Sequence, residues 1–189
     1  MSGISKIKKE DIINTAFEII RKNGENALSA RDLAKKLNCS IQPIFYNFSN
    51  MDDLKKEVYK KINNVYKSYM FQKDSEESYK NTGMGYIRFA RDYPEFFKIM
   101  FMKETNRNTN DFIDVDNIGD EIIEIGQKFT RLSKEKQKEF HLKVWIFTHG
   151  LATLVVTKTI KFTDAEIEDL ITSTVRQMIK GYRIEEGEK

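Results

Sequence analysis

The chain has 189 residues, of which 32% are charged and 40% hydrophobic, with only two prolines. That length supports a sizeable core, and the composition suits an all-helical protein built as a small domain joined to a larger one. A net charge of +3 permits a nucleic-acid partner without demanding one, and the single cysteine, Cys39, excludes an intramolecular disulfide or a multi-cysteine metal site.

The N-terminus alternates Ile with Lys and lacks the apolar core of a signal peptide. No uninterrupted run of about 18 apolar residues is present to span a membrane. The expected location is the cytoplasm, with no membrane partner.

The first helix is predicted over Lys8 to Asn23, where Ile12, Ile13, Ala16, Phe17 and Ile20 recur at helical spacing and Gly24 stops the run. Ser29 is expected to cap a second helix, with Asp32 completing the capping pattern. Leu33, Ala34 and Leu37 form its apolar stripe. Asn38 can take the left-handed conformation that ends a helix. Ser40 is expected to cap a third helix with Pro43 in its first turn, and Ile44, Phe45 and Phe48 form a second stripe. Asn50 and Asp53 repeat the capping pattern for a fourth helix carrying Leu54, Val58, Ile62 and Val65.

Farther on, Ser75 to Arg91 reads as a helix with Tyr86 and Phe89 inward. Pro94 opens a short apolar helix through Phe96, Phe97, Met100 and Phe101. The polar, Asn-rich segment 103–116 reads as a loop. Helices are then predicted over Asn117 to Leu132, Lys134 to Thr159 and Asp164 to Tyr182. The predicted fold is all-α, with about nine helices. It divides into a small three-helix domain over residues 1–53 and a larger helical domain over 54–189.

Two short helices joined by a tight turn make a helix-turn-helix, whose second helix fits the DNA major groove. Ser40, Ile41, Gln42, Pro43, Tyr46 and Asn47 cluster on the first turn and outer face of that helix. Gln can donate to and accept from adenine, and small apolar groups can meet the thymine methyl. Tyr46 and Asn47 can reach phosphate oxygens, and Arg31 can reach a guanine or a phosphate. The helix N-termini at Ser29 and Asn50 offer free amides to the backbone. Lys6, Lys8 and Lys9 form a basic arm, with Lys35, Lys36, Lys55 and Lys56 nearby. Taken singly, each lysine reads as solvated surface.

On these motifs, residues 8 to 60 resemble the N-terminal domain of TetR-family transcriptional regulators. The resemblance covers the helix ending at Gly24, "LSARDLAKKL", "S-x-x-P-I-F-Y-N-F" and "S-N-M-D-D-L". It implies base contacts at Arg31, Gln42, Pro43 and Tyr46, and backbone contacts at Ser29, Tyr46, Asn47 and the arm lysines. Together the two readings assign bases to Arg31, Ser40, Ile41, Gln42, Pro43 and Tyr46, and phosphates to Lys6, Lys8, Ser29, Tyr46, Asn47 and Lys55. Three positions depart from the family pattern. Asn38 replaces the usual turn glycine, Phe45 stands where tyrosine is frequent, and Met51 stands where a lysine opens the fourth helix. Lys55 or Lys56 is the substitute for that lysine.

"YIRFARDYPEFFKIMF" followed by Trp145-Ile-Phe-Thr-His149-Gly150-Leu is similar to regulators whose ligand domain bears a Trp…His-Gly signature. The resemblance implies a helical domain that dimerises through its last two helices and encloses an effector pocket. The residues agree in part. Phe140, Val144, Phe147, Leu151, Leu154 and Val155 make a broad apolar face. Gly150 lets a neighbouring helix approach. Ile167, Leu170, Ile171, Thr174 and Met178 make a second stripe. The expected dimer interface comprises Val144, Leu151, Leu154, Val155, Ile167, Leu170, Ile171, Thr174 and Met178, and the competing reading is that these stripes only close the monomer core.

Pocket candidates are Tyr66, Met70, Tyr86, Phe89, Phe97, Met100, Phe101, Trp145 and His149, although such residues at helical spacing also make plain core. His149 is the polar handle, toward a ligand or toward a hydrogen bond inside the bundle. His141 and His149 lie about 80° apart around a helix, a poor metal pair, and no metal or cofactor is expected. Cys39 reads as packing. The chain has no Gly-rich phosphate loop, no G-x-S-x-G and no H-E-x-x-H, so no catalytic residue is assigned and an enzyme is not expected.

The expected function is a homodimeric, ligand-responsive transcriptional repressor acting on a pseudo-palindromic operator, with a small apolar or amphipathic effector. The alternative, motivated by Phe45 and Met51, is a helical small-molecule-binding or interaction module with weak or lost DNA binding.

Overall fold

The computed structural model describes residues 7–71, 78–104 and 118–185, and these are all-helical with no strand. Lys6, residues 72–77 and most of the predicted 103–116 loop lie outside the described residues. In chain order the helices are α1 Lys9–Asn23, α2 Ala30–Lys36, α3 Gln42–Asn47, α4 Met51–Met70 and α5 Ser78–Asp92. They continue with α6 Pro94–Phe101, α7 Gly119–Thr130, α8 Lys134–Val156 and α9 Asp164–Glu185. A 3-10 turn, Glu25–Ala27, sits between α1 and α2.

The chain forms two compact units: Met1–Val65 with Tyr93–Lys103, and Tyr66–Asp92 with Glu104–Lys189. The division falls inside α4, later than the expected boundary at residue 53, and α6 joins the first unit. Hydrophobic burial explains both features. Leu54, Val58 and Ile62 of α4 are buried, as are Ile12, Ala16, Phe17 and Ile20 of α1 and Leu33 and Ile44, and all fall in the first unit. Phe96 of α6 is fully buried, 4.7 Å from the Phe17 ring, and Tyr93 stacks on it at 5.3 Å. Each buried Phe contributes about 2–3 kcal/mol, enough to hold an eight-residue helix that has little stability alone.

In the second unit α5 packs on α7, α8 and α9. Gly85 of α5 faces the end of α4, where a Cβ would run into the Tyr69 carbonyl oxygen. Glycine is the residue that permits this approach. Gly126 serves a second close approach, because a Cβ there would overlap the Gln137 amide nitrogen. Gln137 is buried and its Oε1 accepts the Thr130 hydroxyl at 2.5 Å. His141, also buried, hydrogen-bonds the Tyr79 hydroxyl through Nδ1 at 3.1 Å. Ion pairs Arg91–Asp164 and Lys80–Glu168 join α5 to α9 at the surface.

The packing can be tested at Gly85 and at His141. Gly85→Ala forces a methyl group against a backbone oxygen, so the helices must separate. A cost of about 1–3 kcal/mol is expected, read as a Tm lowered by about 2–10 °C; an unchanged Tm refutes the contact. Burial pulls His141 down from 6.5 to about 4. Between those values the unfolded chain binds a proton that the folded chain refuses, so stability falls as pH drops from 6.5 toward 4 and is complete above 6.5. The loss reaches about 3 kcal/mol at the lower end. His141→Gln should therefore show a shallower fall of Tm over that window, and parallel curves for the two proteins would contradict the assignment.

Candidate nucleic-acid interface

The turn between α2 and α3 is built by backbone geometry. Asn38 takes a left-handed φ of 50°. Its N–H donates to the Lys35 carbonyl at 3.2 Å, and the Cys39 N–H donates to the Ala34 carbonyl at 3.0 Å. This reciprocal pair satisfies the last carbonyls of α2. At the start of α2 the Ser29 hydroxyl accepts the Asp32 N–H at 3.1 Å and donates to the Asp32 carboxylate at 2.5 Å. The cap expected from Ser40 is not formed. Helix α3 starts one residue later, at Gln42, and the Ile41 carbonyl takes the Ile44 and Phe45 N–H groups. Pro43 has no N–H, so one donor needs no cap. At α4 the Asn50 side chain accepts the Asp53 N–H at 2.9 Å, as expected.

Ile44 and Phe48 point α3 into the first unit's core, which leaves its outer face in water. Tyr46 is 84% exposed, Phe45 46% and Ile41 38%, and Ser40 and Gln42 are exposed beside them. Pro43 is half-buried. Arg31 is exposed on the first turn of α2, and Lys8, Lys35 and Lys36 are exposed around it in sequence. Helix α3 carries no charged side chain, so its exposed face is neutral and the positive charge lies on the flanking segments.

Several expected phosphate contacts have internal partners. The Asn47 amide donates to the Pro43 carbonyl at 2.8 Å, and the Ser29 hydroxyl is engaged with Asp32. Lys55 sits 3.3 Å from Glu25, and Lys56 sits 3.3 Å from Asp53. Lys9 lies over the Phe48 ring at 5.2 Å. Half-buried Cys39 belongs to the turn.

The pocket candidates separate between the units. Phe97, Met100 and Phe101 lie in the first, with the Phe97 and Phe101 rings 5.1 Å apart. Tyr66, Met70, Tyr86, Phe89, Trp145 and His149 lie in the second. There the Tyr86 hydroxyl meets His149 Nδ1 at 2.9 Å, and the Trp145 ring stacks on His149 at 4.9 Å. Tyr66 packs edge-on to Tyr86 at 6.2 Å and to Phe89 at 5.2 Å. Burial raises the Tyr86 phenol well above its ordinary value, against a lowering hydrogen bond with Trp145, and burial lowers the His149 imidazole. The cluster is uncharged near neutral pH. It can hydrogen-bond a ligand but cannot neutralise an anionic one.

The dimer candidates also separate. Val144, Leu151, Ile167 and Ile171 are buried within the unit itself; Ile171, for example, lies against Gly83 of α5. Leu154, Val155, Leu170, Thr174 and Met178 remain half-exposed. Gly150 is exposed, and a Cβ there would meet nothing within 4 Å. One turn before it stands Ile146, 56% exposed, which the apolar-face reading passed over. The Glu25 contacts and the close approach at Gly85 had no local signal, because both depend on residues distant in sequence or on backbone. Among the described residues no helix is long and apolar enough to cross a membrane, and no cluster of His, Cys, Asp or Glu is placed to hold a metal.

Residues 80–178 match the family described as "Tetracyclin repressor-like, C-terminal domain". No curated protein sequence matches the chain. Among solved structures, a TetR-like transcriptional regulator from Rhodococcus sp. RHA1 is 14% identical with a TM-score of 0.63, over 92% of this chain and 96% of that one. A protein with unknown function from the same organism is 14% identical with a TM-score of 0.66, over 96% and 99%. A TetR variant from Acinetobacter baumannii AYE, in complex with minocycline, is 14% identical with a TM-score of 0.53, over 94% and 97%. At that identity the three structures share the fold, while the match over more than half of the sequence makes the chain a member of the tetracycline-repressor-like (TetR) family.

Proposed function

We propose that this chain is a ligand-responsive transcriptional repressor that binds a pseudo-palindromic DNA operator as a homodimer. The carrying observation is α3: Ile44 and Phe48 anchor it, while Ile41, Gln42, Phe45 and Tyr46 are exposed. An apolar and polar face of this kind on a helix-turn-helix is what a major groove accepts. Arg31, Ser40, Ile41, Gln42, Pro43 and Tyr46 face the bases. Lys6, Lys8, Ser29, Tyr46, Asn47 and Lys55 take phosphates, with Ser29, Asn47 and Lys55 exchanging or sharing their present contacts. Two such heads, one per protomer, enter successive major grooves.

The last two helices form the dimer, through the half-exposed Leu154, Val155, Leu170, Thr174 and Met178 together with Ile146 and Gly150. The Trp145…His149-Gly150 segment supports assignment to the Trp…His-Gly branch of the family. The effector is a small, neutral, apolar or amphipathic molecule held around Tyr66, Met70, Tyr86, Phe89, Trp145 and His149. The minocycline complex of a protein with the same fold supports a small-molecule effector. Such an effector must bind better to the DNA-free geometry, because equal affinity for both shifts nothing.

The absence of charge on α3 and the internal partners of Lys55 and Lys56 favour one other reading, a helical small-molecule-binding or interaction module with weak DNA binding. Selection from random DNA separates the two: enrichment of a palindrome supports the repressor, and no enrichment supports the module.

Gel shifts on the DNA upstream of the chain's own gene test the roles. Gln42→Ala should relax preference at one operator position by about 1–3 kcal/mol, whereas Lys8→Ala should weaken all sequences alike and flatten the salt dependence by about 0.9 in log–log slope. Equal effects of both changes on every sequence would refute the division. For assembly, a Cβ at Gly150 has open space, so Gly150→Leu should fold, yet sediment as a monomer. A variant that remains dimeric puts the interface elsewhere.

A further inference from the structure

Glu25 opens the 3-10 turn after Gly24, and its side chain is only 14% exposed. Three groups converge on it. The Tyr59 hydroxyl donates to Oε1, Lys55 Nζ lies 3.3 Å from the same oxygen, and the Lys103 ammonium takes Oε2. Lys55 and Tyr59 lie one turn apart on α4. Lys103 follows α6 and is the last residue of the first unit before the chain passes to the second. One carboxylate thus serves two ammonium groups from different elements.

We propose that Glu25 is a positioning residue that divides its charge between Lys103 and Lys55, and thereby sets how freely Lys55 reaches a DNA phosphate. The inference rests on the DNA-binding reading above. A largely buried carboxylate must keep a cationic partner, because leaving it unpaired carries its full desolvation penalty. With Lys103 on Oε2 that requirement is met, and Lys55 can exchange Glu25 for a phosphate at little cost. With Lys103 withdrawn, Lys55 is the cation that remains, and the carboxylate retains it. The position of the α6 end therefore gates a lysine on α4.

The test measures binding of a fluorescent DNA duplex of arbitrary sequence over a salt series, with Tm confirming that each variant is folded. The Lys103 side chain is about half exposed, so K103M should fold. It should lose roughly two- to five-fold in affinity at low salt and flatten the log–log salt slope by up to about 0.9. The same substitution should be silent in an E25Q background, where no carboxylate holds Lys55, and silent in a K55M background, where nothing is left to gate. That non-additivity is the signature. A K103M effect of equal size in all three backgrounds means only the loss of a distant charge and overturns the proposal. So does a K55M protein that binds with unchanged affinity and slope. Both results leave the DNA-binding reading standing. Wild-type protein that shows no salt-dependent DNA binding overturns the two together.

Discussion

The contact on which the first unit depends is the packing of Phe96 against Phe17. Residues 66–92 belong to the other unit, and the chain comes back to the first through the eight-residue α6, which buries Phe96 and Phe97. Each ring removes enough apolar surface from water to offset the ordering of several residues. The return has consequences beyond stability. It sets Tyr93 on Phe96, brings Glu95 to Gly24 and delivers Lys103 to Glu25. A helix-turn-helix unit built only from α1 to α3 would end at α4. This one carries a helix from much later in the sequence inside its own core.

The helices that read clearly from sequence are those whose signals are local. Gly24, the Ser29–Asp32 pair, Asn38 and the Asn50–Asp53 pair all act within five residues, and each is found in its expected role. Ser40 failed for an equally local reason: the proline at the second position of α3 removed the donor that a cap would have served. The apolar stripes identified the buried faces, but a stripe carries no label for what covers it. Val144, Leu151, Ile167 and Ile171 share a periodicity with Leu154 and Leu170, yet the former are enclosed by their own unit and the latter stay half-exposed. The same limit applied to the aromatic residues, which sort into two units by chain return and not by spacing.

Charge was the least legible layer. Lys55 looks in sequence like any lysine near the start of a surface helix, and its pairing with Glu25 spans thirty positions. Tyr59 and Lys103 complete that site from 34 and 78 positions away. No periodic pattern encodes such a meeting, because it depends on where α6 docks. The buried His141–Tyr79 and Gln137–Thr130 contacts have the same character. Each is polar and enclosed, and each depends on a glycine or an aromatic ring from another helix.

Helix α4 gives these layers a common mechanical element. Among the described residues it is the helix divided between the two units, with Lys55 and Tyr59 in one and Tyr66 and Met70 in the other. An α-helix transmits displacement along its axis far better than a loop does, because its backbone hydrogen bonds resist stretching. In the proposed regulator, an effector that repacks the neutral Tyr66–Tyr86–His149 cluster therefore acts on the same helix that presents Lys55. The cluster's neutrality makes the coupling a matter of shape and hydrogen bonding more than of charge. A charge-neutral ligand has only those terms with which to prefer one geometry, and that preference, typically about 1–3 kcal/mol between coupled sites, is the whole of the signal available to release DNA. A gate on one phosphate contact, itself worth only a few-fold in affinity, is commensurate with a signal of that size.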